Sequence, residues 1–131
     1  MNKILIVHTS WYSEHIAEMM NIATTVISDN EYEYITICAP GAIELAALAK
    51  HQVNKNESSF FSGILFMGIV LRGETTHYDL VTNETFRSIG DLALTYRNDN
   101  TPCFYRINLI ENIPDKYLNT SAKKIKHERK V

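Results

Sequence analysis

The stretch S-G-I-L-F-M-G-I-V-L-R-G-E-T-T-H-Y-D-L-V, Ser62 to Val81, decides the fold. An apolar run from Ile64 to Leu71 stops at Arg72-Gly73-Glu74-Thr75-Thr76-His77. Beyond it Val81, Thr85, Ile89, Leu92 and Tyr96 recur at helical spacing. A strand, a tight polar turn and a helix N-terminus therefore follow one another without a linker. Such a junction gathers backbone N–H groups, two hydroxyls, a carboxylate, a guanidinium and an imidazole at one edge of a sheet, where open α/β folds bind ligands.

Outward from this junction the same order repeats. Ile4 to Val7 is a short apolar run rich in β-branched residues, which predicts a central strand buried on both faces. A polar and aromatic turn, His8 to Ser13, follows, with Ser13 placed as helix N-cap. Ile16, Met19, Met20, Ala23, Val26 and Ile27 then form one helical stripe ending near Asp29-Asn30. Glu31 to Cys38 reads as a second strand closed by Pro40-Gly41, and Ala42 to Lys50 as a second helix, acidic near its start and basic at its end. Arg97 to Pro102 carries turn chemistry and ends the third helix. Cys103 to Leu109 reads as a fourth strand, and Glu111 to Leu118 can start a last helix with Pro114 in its first turn. Past that point no apolar stripe continues. Four β-α repeats with short connections predict an α/β chain, a flavodoxin-like three-layer αβα sandwich with a four-stranded parallel sheet.

The bulk properties set bounds on what such a chain does. At 131 residues, 15.0 kDa and 45% apolar content, a single domain over residues 1–131 is expected. The net charge of −2 argues against binding nucleic acid through overall charge. Residues 1–114 carry 7 basic and 13 acidic side chains, net −6, whereas residues 115–131 carry 6 basic and 2 acidic, net +4. A basic tail can steer anions, or simply be a solvated terminus. Cys38 and Cys103 have no paired spacing and suit small apolar packing in a reducing compartment. The N-terminus begins almost at once with strand-like residues rather than a signal peptide, and no apolar run is long enough to span a membrane. A cytoplasmic protein is the expectation.

Of the five histidines only His77 stands at a strand-to-helix junction among other polar groups. Its imidazole can shuttle protons at neutral pH, or merely bond to backbone at a helix start. Glu74, Thr75 and Thr76 can offer N–H groups and hydroxyls to an anion, or cap the helix. Trp11 and Tyr12 supply a flat aromatic for stacking, or core and interface area. Glu44 can accept hydroxyl hydrogen bonds, or complement a helix dipole. No ligand-spaced His or Cys pair exists, so no metal is expected, and neither common glycine-rich nucleotide motif is present.

R-G-E-T-T-H-Y-D-L-V-T-N-E, Arg72 to Glu84, resembles the signature of the 6,7-dimethyl-8-ribityllumazine synthase family. A-P-G-A-I-E-L, Ala39 to Leu45, is similar to that family's second motif, and Ser10-Trp11-Tyr12 stands where the family carries its stacking aromatic. The resemblance covers roughly the first five-sixths of the chain and implies the fold already read from the repeats. It implies condensation of 5-amino-6-(D-ribitylamino)uracil with 3,4-dihydroxy-2-butanone 4-phosphate in riboflavin biosynthesis, with no cofactor and no metal. By resemblance His77 is the general acid/base and Trp11 stacks on the pyrimidine. Ala42 and Glu44, with Ile43 between them, hold the ribityl chain, Ile69 and Val70 offer backbone groups to the ring, and Glu74 and Thr75 cradle the phosphate. Family members assemble as homopentamers or multiples of them, and Tyr105 aligns with an aromatic that crosses the subunit interface.

The last sixth departs from the pattern, so the C-terminal segment from about residue 114 is expected to be divergent or truncated. Asn119 stands where the family places a phosphate-binding arginine, Arg106 where glycine is usual, and Leu109-Ile110 where two threonines are usual. Loss of a charge-assisted phosphate partner typically costs about 1.5–3 kcal/mol. Lys116, Lys123 or Lys124 can restore charge but not a bidentate fork. The family's N-terminal strand extension is also missing, which predicts weaker assembly or a single ring. The resemblance therefore implies either an active synthase or a weakly active or inactive homologue. The latter would bind ribityl-pyrimidines or flavins, or serve as an assembly subunit.

Overall fold

The computed structural model describes residues 3–55, 60–71, 77–96 and 103–110. Strands β1 (Lys3–Thr9), β2 (Glu33–Ala39), β3 (Gly63–Leu71) and β4 (Cys103–Ile110) pair in the order β2-β1-β3-β4, all parallel. Helices α1 (Ser13–Asp29), α2 (Leu45–Asn54) and α3 (His77–Tyr96) alternate with them. The α/β architecture with a parallel sheet read from the repeats is thus found. The expected last helix, from Glu111, lies outside the described residues.

Because β1 lies between β2 and β3, the direction of winding reverses after β2. Right-handed crossovers then place α1 on one face of the sheet and α2 and α3 on the other. The packing agrees. On the α1 face Ile16, with partly buried Met19 and Met20, meets Tyr12, Ile69 and Leu71. On the opposite face Leu45, Ala49 and Val53 of α2 and Ile89 and Leu92 of α3 close over Leu5, Val7, Ile64 and Phe66. Successive strand residues serve opposite faces, so a strand covered on both sides must be apolar throughout. Leu5, Ile6 and Val7 are fully buried for that reason.

Four local expectations need correction. Ser13 is the first helical residue of α1 rather than its cap. Tyr12 takes the cap position in a left-handed conformation, φ 61° and ψ 51°, with no side-chain cap bond. Its carbonyl accepts from the N–H groups of His15 and Ile16 at 3.0 and 3.1 Å, so the backbone opens the helix unaided. Val26 does not join the α1 stripe and is 56% exposed. At 100° per residue it sits about 80° from Ile16, at the edge of the buried sector. The second helix does not run from Ala42 to Lys50: a 3-10 turn, Ala42–Glu44, precedes α2, which continues to Asn54. Cys38 is exposed on edge strand β2 instead of packing as a small apolar residue.

The end of α1 also follows from backbone chemistry. Glu31, at φ 65°, directs its N–H to the Ser28 carbonyl, and the N–H of Tyr32 reaches that of Ile27, both at 3.0 Å. This reciprocal pair terminates a helix through one left-handed residue, a position that favours glycine. On α3 the buried Thr82 and Thr85 fit an apolar face because their hydroxyls donate back to the Tyr78 and Val81 carbonyls at 2.9 and 2.7 Å.

Candidate active site

The C-terminal ends of β1 and β3 open into a cavity of about 320 Å³. Its position is the one topology dictates, since the reversal of strand order between β1 and β3 sends adjacent connections to opposite faces and leaves a crevice. Three connections wall it. Trp11 and Tyr12 come from the β1–α1 turn, Gly41 to Glu44 from the turn after β2, and His77, Tyr78 and Val81 from the first turns of α3. Thr9, Ile69, Val70 and Leu71 line the cavity from the strand ends.

Trp11, Ala42, Ile43, Glu44, Ile69, Val70 and His77 were each candidates from sequence, and all line this cavity. Glu74, Thr75 and Asn119 lie outside the described residues. Tyr105 lies in β4, where its backbone pairs with Phe66 of β3. Among the described residues, no group of three or more His, Cys, Asp or Glu side chains is placed to hold a metal ion. Nor is any helix there long and apolar enough to cross a membrane.

The aromatic wall is fixed from two sides. The Trp11 indole N–H donates to the Pro40 carbonyl at 3.0 Å, tying the first turn to the turn after β2. The adjacent Tyr12 is buried, and its left-handed backbone turns the chain sharply between β1 and α1. Trp11 itself remains 36% exposed, so one part of its ring system is free to meet a planar ligand.

The turn after β2 carries the carboxylate. Glu44 ends the 3-10 turn, and its Oε2 is buried without a hydrogen-bond partner among the described residues. A Cβ built on Gly41 would come within 3.3 Å of that oxygen, so glycine leaves the carboxylate its space. This is a steric requirement, since Gly41 has extended backbone, φ −163°, that any residue adopts. The 3-10 turn packs against α3, which opens with the exposed His77. A planar shelf, an acceptor carboxylate and an imidazole therefore surround one space.

Sequence reasoning overlooked Thr9 and Gly41. Thr9 is 2% exposed, and its Oγ1 has no partner among the described residues. It extends the Leu5, Val7 alternation by one step, which was the available signal, but β1 runs two residues further than its apolar run suggests. Gly41 is expected from sequence to close the second strand and, by resemblance, to belong to the family's second motif, but not to clear space for the Glu44 carboxylate. Of the other histidines, His8 is half-buried with Nδ1 3.0 Å from the Thr9 carbonyl, and His127 lies outside the described residues.

The family model described as 6,7-dimethyl-8-ribityllumazine synthase matches residues 1–124. A protein of that name from Agrobacterium fabrum is 30% identical over 111 residues, which span 83% of this chain and 73% of the relative. One from Bartonella bacilliformis is 32% identical over 91 residues, 70% of this chain and 59% of the relative. One from Bartonella tribocorum is 34% identical over 95 residues, 72% and 61% respectively. The matched region thus spans about three-fifths of the two Bartonella proteins.

Proposed function

Because the chain belongs to the 6,7-dimethyl-8-ribityllumazine synthase family, we propose that it condenses 5-amino-6-(D-ribitylamino)uracil with 3,4-dihydroxy-2-butanone 4-phosphate. The observation that carries this reading is the convergence of Trp11, Glu44 and His77 on one cavity at the strand ends. The pyrimidine lies against Trp11, and Glu44 accepts hydrogen bonds from its hydroxylated side chain. The backbone of Ile69 and Val70 runs along the ring edge. Glu74 and Thr75, which precede His77 in the sequence, receive the phosphate.

The chemistry needs proton movement rather than a redox group. The pyrimidine amine attacks the ketone, and the carbinolamine loses water to give an imine. A proton then leaves carbon as phosphate departs, and the second nitrogen closes the ring with loss of a further water. His77 takes and returns these protons, a task for which an imidazole is suited. The cavity holds both partners in one orientation, which by itself supplies a large share of the rate. Homopentamer formation, or a multiple of it, belongs to the same proposal, and sedimentation of the purified chain tests it.

Mixing the two substrates with enzyme and following lumazine absorbance is the direct test of function; absence of product at high enzyme concentration would overturn it. Asn119 favours a second reading, in which the chain binds the pyrimidine but turns it over weakly for want of a phosphate-binding guanidinium. Asn119→Arg separates the two. A fall in KM for the phosphate substrate of about tenfold supports the second reading, and an unchanged KM in an already active enzyme supports the first.

A further inference from the structure

Three threonines are buried among the described residues, Thr9, Thr82 and Thr85. Thr82 and Thr85 return their hydroxyl protons to helix carbonyls at 2.9 and 2.7 Å. Thr9 does not: its Oγ1 is buried with no partner among the described residues, and the residue is one of those that line the cavity. A strand offers no equivalent of the helix back-bond, because its carbonyls are spent on the neighbouring strands. A hydroxyl buried without a partner carries an uncompensated desolvation cost. Such a group in a cavity wall is suited to a ligand that supplies the missing hydrogen bond.

Two details fix where Thr9 acts. A Cβ on Gly68 would lie 3.5 Å from Thr9 Oγ1 and 3.8 Å from Leu45 Cδ1, so the threonine sits over the bare backbone of β3, beside the start of α2. Glu44 immediately precedes α2, and its Oε2 is the other buried side-chain atom with no partner among the described residues. An ionised carboxylate only accepts hydrogen bonds, whereas a hydroxyl both donates and accepts. A ligand hydroxyl that donates to Glu44 still has lone pairs to accept from Thr9, and a neighbouring ligand hydroxyl can use both in the same way. A simple alkyl chain can use neither.

We propose that Thr9 is a specificity-determining residue of this site, its hydroxyl acting with the Glu44 carboxylate to select a polyhydroxylated side chain over an alkyl one. The assignment rests on the pyrimidine-binding function proposed above and adds to it a residue from β1. A site built to pair buried polar groups rejects an analogue lacking the hydroxyls, since those groups would then stay unpaired.

The chain has a single tryptophan, so quenching of Trp11 fluorescence reports binding in this cavity. The probes are 5-amino-6-(D-ribitylamino)uracil and its 6-butylamino counterpart, titrated into the wild type, Thr9→Val, Thr9→Ala and Thr9→Ser. The expected result is a loss of about tenfold in affinity for the ribityl compound in Thr9→Val and Thr9→Ala, equivalent to about 1.4 kcal/mol. The butylamino compound should bind all four proteins alike, and Thr9→Ser should match the wild type. Thr9→Val should also melt no lower than the wild type, because it deletes a hydroxyl that contributes no internal hydrogen bond. Equal losses for both probes would reduce Thr9 to a packing role, and no loss for either would mean that water alone satisfies its hydroxyl; each result overturns the assignment. A wild type that quenches with neither probe would overturn the proposed function and the assignment together.

Discussion

Gly41→Ala separates folding from binding in a way the structure makes quantitative. The new methyl group would stand 3.3 Å from Glu44 Oε2, a few tenths of an ångström closer than ordinary contact. Relief comes from the carboxylate, because it is the end of a side chain, while the extended backbone at φ −163° accepts alanine without strain. Stability should therefore hold or improve, since alanine restricts the unfolded chain by about 0.4–1 kcal/mol relative to glycine. A chain of this size would melt about 2–4 °C higher. Binding moves the other way. A charge-assisted hydrogen bond is worth about 1.5–3 kcal/mol, and displacing its acceptor without deleting it should forfeit about 1 kcal/mol. That corresponds to roughly a fivefold rise in KM for the pyrimidine, with kcat within about twofold because His77 lies on another connection. Steady-state kinetics on lumazine absorbance and a thermal melt read both quantities. In a Glu44→Ala background the same glycine substitution should leave KM unmoved, because the clashing oxygen is gone. A lower melting temperature with an unchanged KM would refute the reasoning and make Gly41 a folding residue.

Further outcomes follow from other contacts. His77→Asn should lower kcat by about 10²- to 10⁴-fold while Trp11 quenching by the pyrimidine stays within a few-fold; parallel losses in both would assign His77 to binding instead. Trp11→Phe keeps a shelf but loses the 3.0 Å bond to the Pro40 carbonyl, so KM for the pyrimidine should rise about three- to tenfold at nearly constant kcat. Glu31→Gly relieves a left-handed residue at φ 65°. It should raise stability in urea by about 0.5 kcal/mol, the strain relieved being partly offset by the greater freedom of glycine when unfolded. The Arg87 guanidinium bonded to Glu84 holds that carboxyl below its usual 4.5. A depressed value means a stabilising contribution present above pH 4.5 and lost as pH falls below it. The pair is fully exposed, so Glu84→Gln should scarcely move the melting temperature at pH 7, and any difference should vanish in 1 M salt.

The parts of this fold legible in sequence are those set by which surfaces must be dry. β1 and β3 are covered on both faces and read as unbroken apolar runs, and Ile89 and Leu92 mark the buried side of α3 because one helical stripe faces the sheet. Tyr12 shows the limit of local rules. A serine one residue later satisfied the capping pattern, yet the chain opens α1 through a left-handed tyrosine whose burial against Ile16, Ile69 and Leu71 outweighs the backbone strain. The turn at Ala42 was read as the start of a helix because propensity does not distinguish a 3-10 first turn from an α-helical one. Of the site, His77, Trp11 and Glu44 were legible because their chemistry is unusual at a sheet edge. Thr9 and Gly41 were not, since their significance lies in a missing partner and a missing atom, and both exist only once three connections meet.

That meeting explains how binding and stability are partitioned in this molecule. Trp11, Glu44 and His77 stand on different connections, so their relative placement is set by the registers that pair Thr9 with Ala39 and His8 with Met67. Those registers are enforced by burial, because a one-residue slip would carry Leu5 and Val7 to the wrong face. Substitutions in the core should therefore damage both properties together: Phe66→Ala, at a fully buried position between β1 and β4, should cost about 3–5 kcal/mol and loosen the strand ends that carry the site. Substitutions in the walls act on single groups. The Trp11 bond to Pro40 ties two of these walls together through a side chain, so its loss should broaden the range of ligands accepted before it lowers the melting temperature. A Trp11→Phe variant, which has no tryptophan left and is therefore titrated by calorimetry, would show that the link serves the fold and that the strand registers alone align the site if it melted several degrees lower while keeping wild-type selectivity between the ribityl and butyl probes.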